Sequence, residues 1–177
     1  MRVISGTLGG REISSPKKSK IHPMSDKMRG ALFTSLGDIN ELDILDAYSG
    51  SGAIAIEAIS RGANQAIALD NDQTAIDTIK QNIKVLGISD RVKAIRASIA
   101  GYLDNNPDQT FDIIFADPPY SAVNELHLNK LATHLKPNCI FVLSCPGKSN
   151  PLLIEGLKEL KNNVYGDAQL VFYRKIS

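Results

Sequence analysis

Residues 46–52 read DAYSGSG, an aspartate four positions ahead of Gly50-x-Gly52. A second acid, Asp70, follows 18 residues after Gly52, and Asp117-Pro118-Pro119-Tyr120 closes the apolar run FDIIFA. Gly50 and Gly52 allow a tight turn and a close approach of backbone to ligand ahead of a helix that starts near Ser51. A carboxylate at position 70 is placed to accept hydrogen bonds from the two ribose hydroxyls of an adenosine. Gly50-x-Gly52-x-x-Ala55 with an acid about 20 residues on also matches a dinucleotide fingerprint. Asp46 argues against that ligand, because a carboxylate facing a pyrophosphate is repelled by it. It suits a ligand with a positive amino group. S-adenosylmethionine has that group, has an adenosine for Asp70, and carries no phosphate, so it is the favoured ligand. The plain alternative is that Asp46 only caps the following turn.

The second corner suits chemistry on an exocyclic amino group, whose lone pair is delocalised into its ring. Two acceptors on the amino hydrogens draw the nitrogen toward tetrahedral geometry, and the Asp117 side chain and the Pro118 carbonyl can supply them. Pro118 and Pro119 fix φ along the corner, so the acceptors are preorganised. Tyr120 offers a ring on which an unstacked base can lie. A sulfonium-activated methyl needs no metal and no covalent intermediate, so no metal is expected. The plain alternative is a strand ended by prolines beside an incidental Asp and Tyr.

Positioning these residues falls to alternating strands and helices. Apolar runs at 42–48, 65–69, 91–96, 111–116 and 138–144 read as strands. Amphipathic segments near 51–62, 73–87, 98–104 and 123–136 read as helices between them. Such alternation predicts a mostly parallel, doubly wound α/β sheet with helices on both faces. A final helix over 150–161 and a closing hairpin around Gly166-Asp167, with an antiparallel last strand, complete it. Ligands of such sheets bind outside the carboxyl ends of the strands where strand order reverses. That is where Asp46, Asp70 and Asp117 fall.

The first forty residues differ. RVIS-GTLGG-REISS reads as a β-hairpin, PKKSKIHPM as a basic loop, and SDKMRGALFTSLGD as a helix with Ser25 as N-cap and Gly37 as its stop. Residues 1–30 hold seven basic side chains against two acidic ones, a net +5 in a chain whose total is +1. A basic arm on a mildly acidic body predicts contact with a polyanion; a solvated lysine-rich loop is the plain alternative. The expectation is one domain over 177 residues, with a basic extension at 1–40 and a ligand-binding core at 41–177. Cys139 and Cys145 have no metal or disulfide spacing, and His127 and His134 are too far apart for a one-turn metal pair. No run reaches the ~18 apolar residues of a membrane span, and the N-terminus lacks a signal peptide's apolar stretch, so a cytoplasmic protein without membrane contact is expected.

On MRVISGTLGGREI, HPMSDKMRGALFTSLGD, LDAYSGSGAIAIEAISRGA, ALDNDQTAI…I…N (ending at Asn82), FDIIFADPPY and VYGDAQLVFY, the chain resembles the bacterial 16S rRNA guanine-N2-methyltransferases end to end. The resemblance implies a Rossmann-like class I methyltransferase with a seven-stranded sheet, using S-adenosylmethionine on the small ribosomal subunit. It implies that Asp46, Ser49, Gly50 and Gly52 line the methionine end of that cofactor, with Tyr48 packed nearby. Asp70 would hold the ribose, with Asn71 beside the adenine. Ser98 stands where the family usually has an acid near the adenine amino group. Asp117, Pro118, Pro119 and Tyr120 would hold the guanine. Arg11, Lys17, Lys18, Lys20, Lys27 and Arg29 would face RNA, with His22-Pro23-Met24 in place of the family's usual Arg-Pro-Thr. A Glu usual at the end of strand five is replaced by Ser144-Cys145. The resemblance further implies an assembled particle as substrate and a monomeric enzyme. Competing readings are a DNA or RNA adenine-N6 methyltransferase, which faces the same amino-group problem, and a non-catalytic RNA-binding module on the same fold.

Overall fold

The computed structural model describes residues 1–16 and 24–176. Its strands are β1 (Asp43–Ala47), β2 (Gln65–Asp70), β3 (Val92–Arg96), β4 (Phe111–Ala116), β5 (Leu135–Pro146), β6 (Leu157–Tyr165) and β7 (Ala168–Lys175). The helices are α1 (Asp26–Leu36), α2 (Ala53–Ser60), α3 (Gln73–Leu86), α4 (Ile99–Asn105) and α5 (Glu125–Thr133). They form one seven-stranded sheet in the order β3-β2-β1-β4-β5-β7-β6. β1 to β5 pair in parallel, and β7 lies antiparallel between β5 and β6. Strand order reverses between β1 and β4, where Ala47 pairs with Ala116.

Alternation along the strands builds two cores. Ile44, Ala68, Ile113, Phe115, Val142 and Phe172 pack beneath α1, α2 and α3. Leu45, Leu69, Ile114, Phe141, Leu143 and Val171 pack beneath α4 and α5. The central strands are therefore covered on both faces, which is why they read as continuous apolar runs. α2, AIAIEAIS, is buried at every position, including Glu57.

Local signals end most elements as the sequence leads one to expect. Ser25 caps α1 by accepting from the Met28 amide, and Gly37 closes it at φ 78°. Asp72 caps α3 by accepting from Thr74 and Ala75, and Gly87 ends it in the left-handed region at φ 71°.

One expectation is corrected. The helix over 150–161 is absent: residues 151–154 lack regular structure, and Leu157–Tyr165 is the edge strand β6. Ile154, Leu157 and Leu160 mimic a helical stripe, but Gly156 at φ 74° breaks the segment, and residues 157–165 pair with the free edge of β7. The N-terminal hairpin forms as expected: Arg2 and Glu12 bridge antiparallel, and the Val3, Gly10 and Ile13 amides donate to the Arg11, Val3 and Met1 carbonyls. Further polar groups of the arm are satisfied by the helices beneath. Ile4 and Ser5 amides donate to Glu57, the Leu8 amide donates to Ser60 Oγ, and Asn82 exchanges two hydrogen bonds with the backbone of Ser14. A Cβ on Gly6 would lie 1.8 Å from the Ser60 carbonyl oxygen, so the arm needs a glycine there to lie this close to α2. No helix among the described residues is long and apolar enough to cross a membrane.

Candidate active site

At the end of β1, Asp46 is 1% exposed. Its Oδ2 accepts from Ser49 Oγ at 2.6 Å and from the Ala55 amide at 3.2 Å. Burial pushes its carboxyl up to about 7; the Ser49 and Ala55 hydrogen bonds oppose the rise, and nearby Asp117 and Asp70 add to it. A buried acid pushed toward neutrality beside a turn is a candidate functional group.

The turn itself is held open. Tyr48 sits at φ 65°, a left-handed conformation that costs a side chain about 1–2 kcal/mol, and the next amide, Ser49, donates to the Leu69 carbonyl at 3.0 Å. Gly50 follows at φ 58°, and a Cβ built on it would meet nothing within 4 Å. Gly52, also left-handed at φ 78°, would press a Cβ to 3.2 Å from Ile79 of α3. Gly50 thus lines open space and Gly52 allows close packing of α2 against α3.

Asp70, ending β2, spans this turn and its own. Oδ2 accepts from the Gly50 amide at 2.8 Å and Oδ1 from the Asp72 amide at 2.9 Å. Asn71 is exposed beside it, its carbonyl accepting from Arg96 Nε at 3.4 Å. Ser98 is exposed and caps α4 by accepting from the Gly101 amide at 3.1 Å.

Across the switch point the Asp117 amide donates to the Ala47 carbonyl at 3.4 Å, which carries the β1–β4 ladder into the corner. Pro118 is buried and Pro119 sits at φ −53°, ψ 128°. Burial raises the Asp117 carboxyl, and a hydrogen bond from Ser144 opposes the rise. Tyr120 is 43% exposed, with its hydroxyl 3.3 Å from Ser144 Oγ. Asp46 therefore lies near both Asp117 and Asp70, and the exposed Tyr120 ring stands beside Asp117.

Sequence reasoning assigned no role to two residues that the structure ties to this cluster. Ser144, near the end of β5, touches the corner through the Tyr120 hydroxyl. Asn82 of α3 donates to the Ser51 carbonyl of the glycine turn at 3.1 Å while holding Ser14, so it joins that turn to the N-terminal arm. A polar residue interrupting the apolar stripe Ile76, Ile79, Ile83 was the available signal.

The basic arm is divided. Arg11 and Lys27 are exposed, and Arg11 donates to the Val85 carbonyl at 3.4 Å. Arg29 corrects the expectation that it faces RNA: it is 0% exposed. Its Nη2 donates to the Arg2 carbonyl at 2.5 Å and to Asp26 Oδ1 at 2.9 Å, and its Nε lies 3.8 Å from Glu57 Oε2. The reason is its place on the inner face of α1 with Met28, Leu32 and Phe33. Lys17, Lys18, Lys20 and His22 lie outside the described residues.

A parallel sheet that reverses at β1/β4, a glycine turn after β1 and acids after β1, β2 and β4 define the class I methyltransferase fold. Among solved structures, the chain superposes on a candidate methyltransferase from Escherichia coli with TM-score 0.85 at 23% identity, covering 100% of this chain and 98% of that one. It superposes on a candidate methylase from Haemophilus influenzae with TM-score 0.81 at 27% identity, covering 99% and 98%. The model of the family described as conserved hypothetical protein 95 matches residues 1–174. The ribosomal RNA small subunit methyltransferase D of Haemophilus influenzae is 30% identical over 98% of this chain and 92% of its own length. The protein of that name from Buchnera aphidicola is 39% identical over 67% of this chain, a match that spans 62% of its own length. The chain belongs to the conserved hypothetical protein 95 family and is a methyltransferase.

Proposed function

We propose that this chain transfers the methyl group of S-adenosylmethionine to the exocyclic N2 of a guanine in 16S rRNA of the small ribosomal subunit. The observation that carries the reading is the meeting of a buried, cation-seeking Asp46 with the Asp117-Pro118 corner across the β1/β4 switch point. The names of the relatives supply the RNA. The residues fit the cofactor: open space above Gly50, a carboxylate for the amino group, and a second carboxylate after β2 for the ribose.

S-adenosylmethionine, when bound, supplies a methyl already activated by its sulfonium. Everything else asked of the chain is positioning, which is worth several kcal/mol when reacting atoms are held in line. Asp46 holds the positive amino group, Ser49, Gly50 and Gly52 form the wall beside it, and Tyr48 packs behind them. Asp70 exchanges the Gly50 amide for the ribose hydroxyls, with Asn71 and Ser98 toward the adenine. Asp117 and the Pro118 carbonyl accept from the guanine amino hydrogens, Pro119 stiffens the corner, and Tyr120 stacks on the base. The amino proton leaves to solvent after transfer. Arg11, Lys27, Lys17, Lys18, Lys20 and His22 meet the phosphates, and Arg29 is left out of that set. The working form is a cytoplasmic monomer acting on an assembled particle.

The test is to incubate the protein with methyl-labelled S-adenosylmethionine and either unmethylated small subunits, naked rRNA or DNA, then digest and identify the labelled nucleoside. Label in N2-methylguanosine from RNA is expected. Label in N6-methyladenine, or none in any substrate, refutes the reading.

A further inference from the structure

Asn82 interrupts the apolar face of α3 between Ile79 and Ile83, yet it is only 4% exposed. A primary amide carries two N–H donors and an acceptor oxygen, and each is costly to bury unpaired. Asn82 uses all three. Its Oδ1 accepts from the Ser14 amide at 2.9 Å, and its Nδ2 donates to the Ser14 carbonyl at 3.0 Å and to the Ser51 carbonyl at 3.1 Å. Turning the amide over would set its oxygen against two carbonyls, so these partners select one orientation. Aspartate of the same size lacks both donors, and leucine lacks every polar group of the set.

The two partners lie 68 and 31 residues away along the chain. Ser14 belongs to the N-terminal arm, which carries the exposed Arg11 and precedes Lys17, Lys18 and Lys20 in the sequence. Ser51 stands in the glycine turn between Gly50 and Gly52, both at positive φ. An anchor on its carbonyl restrains a turn whose glycines are otherwise free to rotate. A second side-chain hold on the turn's backbone is Asp70 on the Gly50 amide, and that one is given up when Asp70 takes the ribose. The arm also reaches the turn directly, with Ser51 Oγ 3.5 Å from Met1 Sδ.

We infer that Asn82 is a positioning residue for cofactor binding, pinning the Ser51 carbonyl to the N-terminal arm so that the glycine turn keeps its binding shape while the arm is docked. This rests on the reading of that turn as the wall beside S-adenosylmethionine. The arm then belongs to the cofactor site through one side chain, without touching the cofactor. A change that loosens the arm beside Ser14 reaches the turn through Asn82.

The experiment combines Asn82→Ala with Ile13→Ala, which trims the buried anchor next to Ser14. Val171→Ala, a buried position on β7 three places from β1 in the sheet, controls for lost stability. In equilibrium dialysis of labelled S-adenosylmethionine, well below the unfolding temperatures, Asn82→Ala should bind about fivefold more weakly, the effect of one hydrogen bond. Its kcat at saturating cofactor should be unchanged. Ile13→Ala should weaken binding in the native background and add nothing to Asn82→Ala, the mark of a shared path. Amide hydrogen exchange of the cofactor-free proteins follows the same link. The Gly52 amide, bonded to the Ser49 carbonyl, should exchange about fivefold faster in Asn82→Ala and measurably faster in Ile13→Ala. A purely structural asparagine would behave as Val171→Ala does, losing stability while affinity and Gly52 exchange stay native. Native exchange at Gly52 in either variant, additive affinity losses in the double variant, or a kcat loss with affinity intact overturns the inference. Exchange decides even if the native protein proves not to bind S-adenosylmethionine, so a failure of the proposed function is distinguishable from a failure of this role.

Discussion

Asp46 shows how one buried side chain sets a pH dependence. Its folded-state carboxyl is raised from 3.8 to about 7, chiefly by burial, so between those values the folded chain binds a proton that the unfolded chain lacks. Stability of the cofactor-free protein from this group is therefore fully present below about 4, is lost as pH rises to about 7, and is level above. A positive amino group favours the ionised form, so cofactor affinity runs the other way. Isothermal titration across pH 5.5–8.5 should show S-adenosylmethionine binding tightening up to about 7 with proton release, then levelling. Asp46→Asn should bind weakly at every pH with no such rise; a rise that persists in that variant would remove Asp46 from the account. At this scale the sequence was informative where a charged residue broke an apolar run, as at Asp46 and Asp117. At Ser144 it offered only a departure from the family's usual Glu, because a small polar residue ending a strand looks the same whether it faces solvent or a folded corner.

Among elements, the docking of α1 on α2 depends on charges the sequence placed elsewhere. Glu57 accepts from the Ile4 amide at 2.8 Å, the Ser5 amide at 3.1 Å and Arg61 Nε at 2.7 Å, and Arg29 reaches it from α1. Glu57 keeps Arg61 and the two amides without Arg29, but removing the wholly buried arginine loses its bonds to the Arg2 carbonyl and to Asp26, a loss of about 1.5–3 kcal/mol. Arg29→Ala should therefore lower the denaturant midpoint sharply while leaving the salt dependence of RNA binding unchanged. A stable variant with weakened, salt-flattened RNA binding would return Arg29 to the RNA face. In the sequence Arg29 counted with the basic arm because charge is visible there and burial is not; only its place beside Met28 and Leu32 on the helix pointed inward. The helix expected at 150–161 failed for a related reason, since edge pairing with β7 is a long-range event that Leu157 and Leu160 do not announce.

For the whole molecule, strand order and switch point were legible because βαβ units admit few arrangements. Which surface meets RNA was legible only as charge, concentrated in a net +5 over residues 1–30. Neutralising Lys17, Lys18 and Lys20 together should weaken binding to small subunits and reduce the slope of log affinity against log salt by about two. Filter binding over a range of salt checks this, and an unchanged slope would make that stretch a solvated loop. Asn82 joins the glycine turn to the N-terminal arm, so the proposed cofactor and RNA ends of the molecule share one buried side chain.

The central claim is that Asp117 acts on the amino group and not on the cofactor. Equilibrium binding of S-adenosylmethionine and single-turnover methyl transfer to small subunits, measured side by side for Asp117→Ala, test it most directly. The account predicts near-native cofactor binding with transfer slowed by about 10²–10³, the cost of losing one preorganised acceptor. Transfer at the native rate, or a loss explained wholly by weakened cofactor binding, would contradict it.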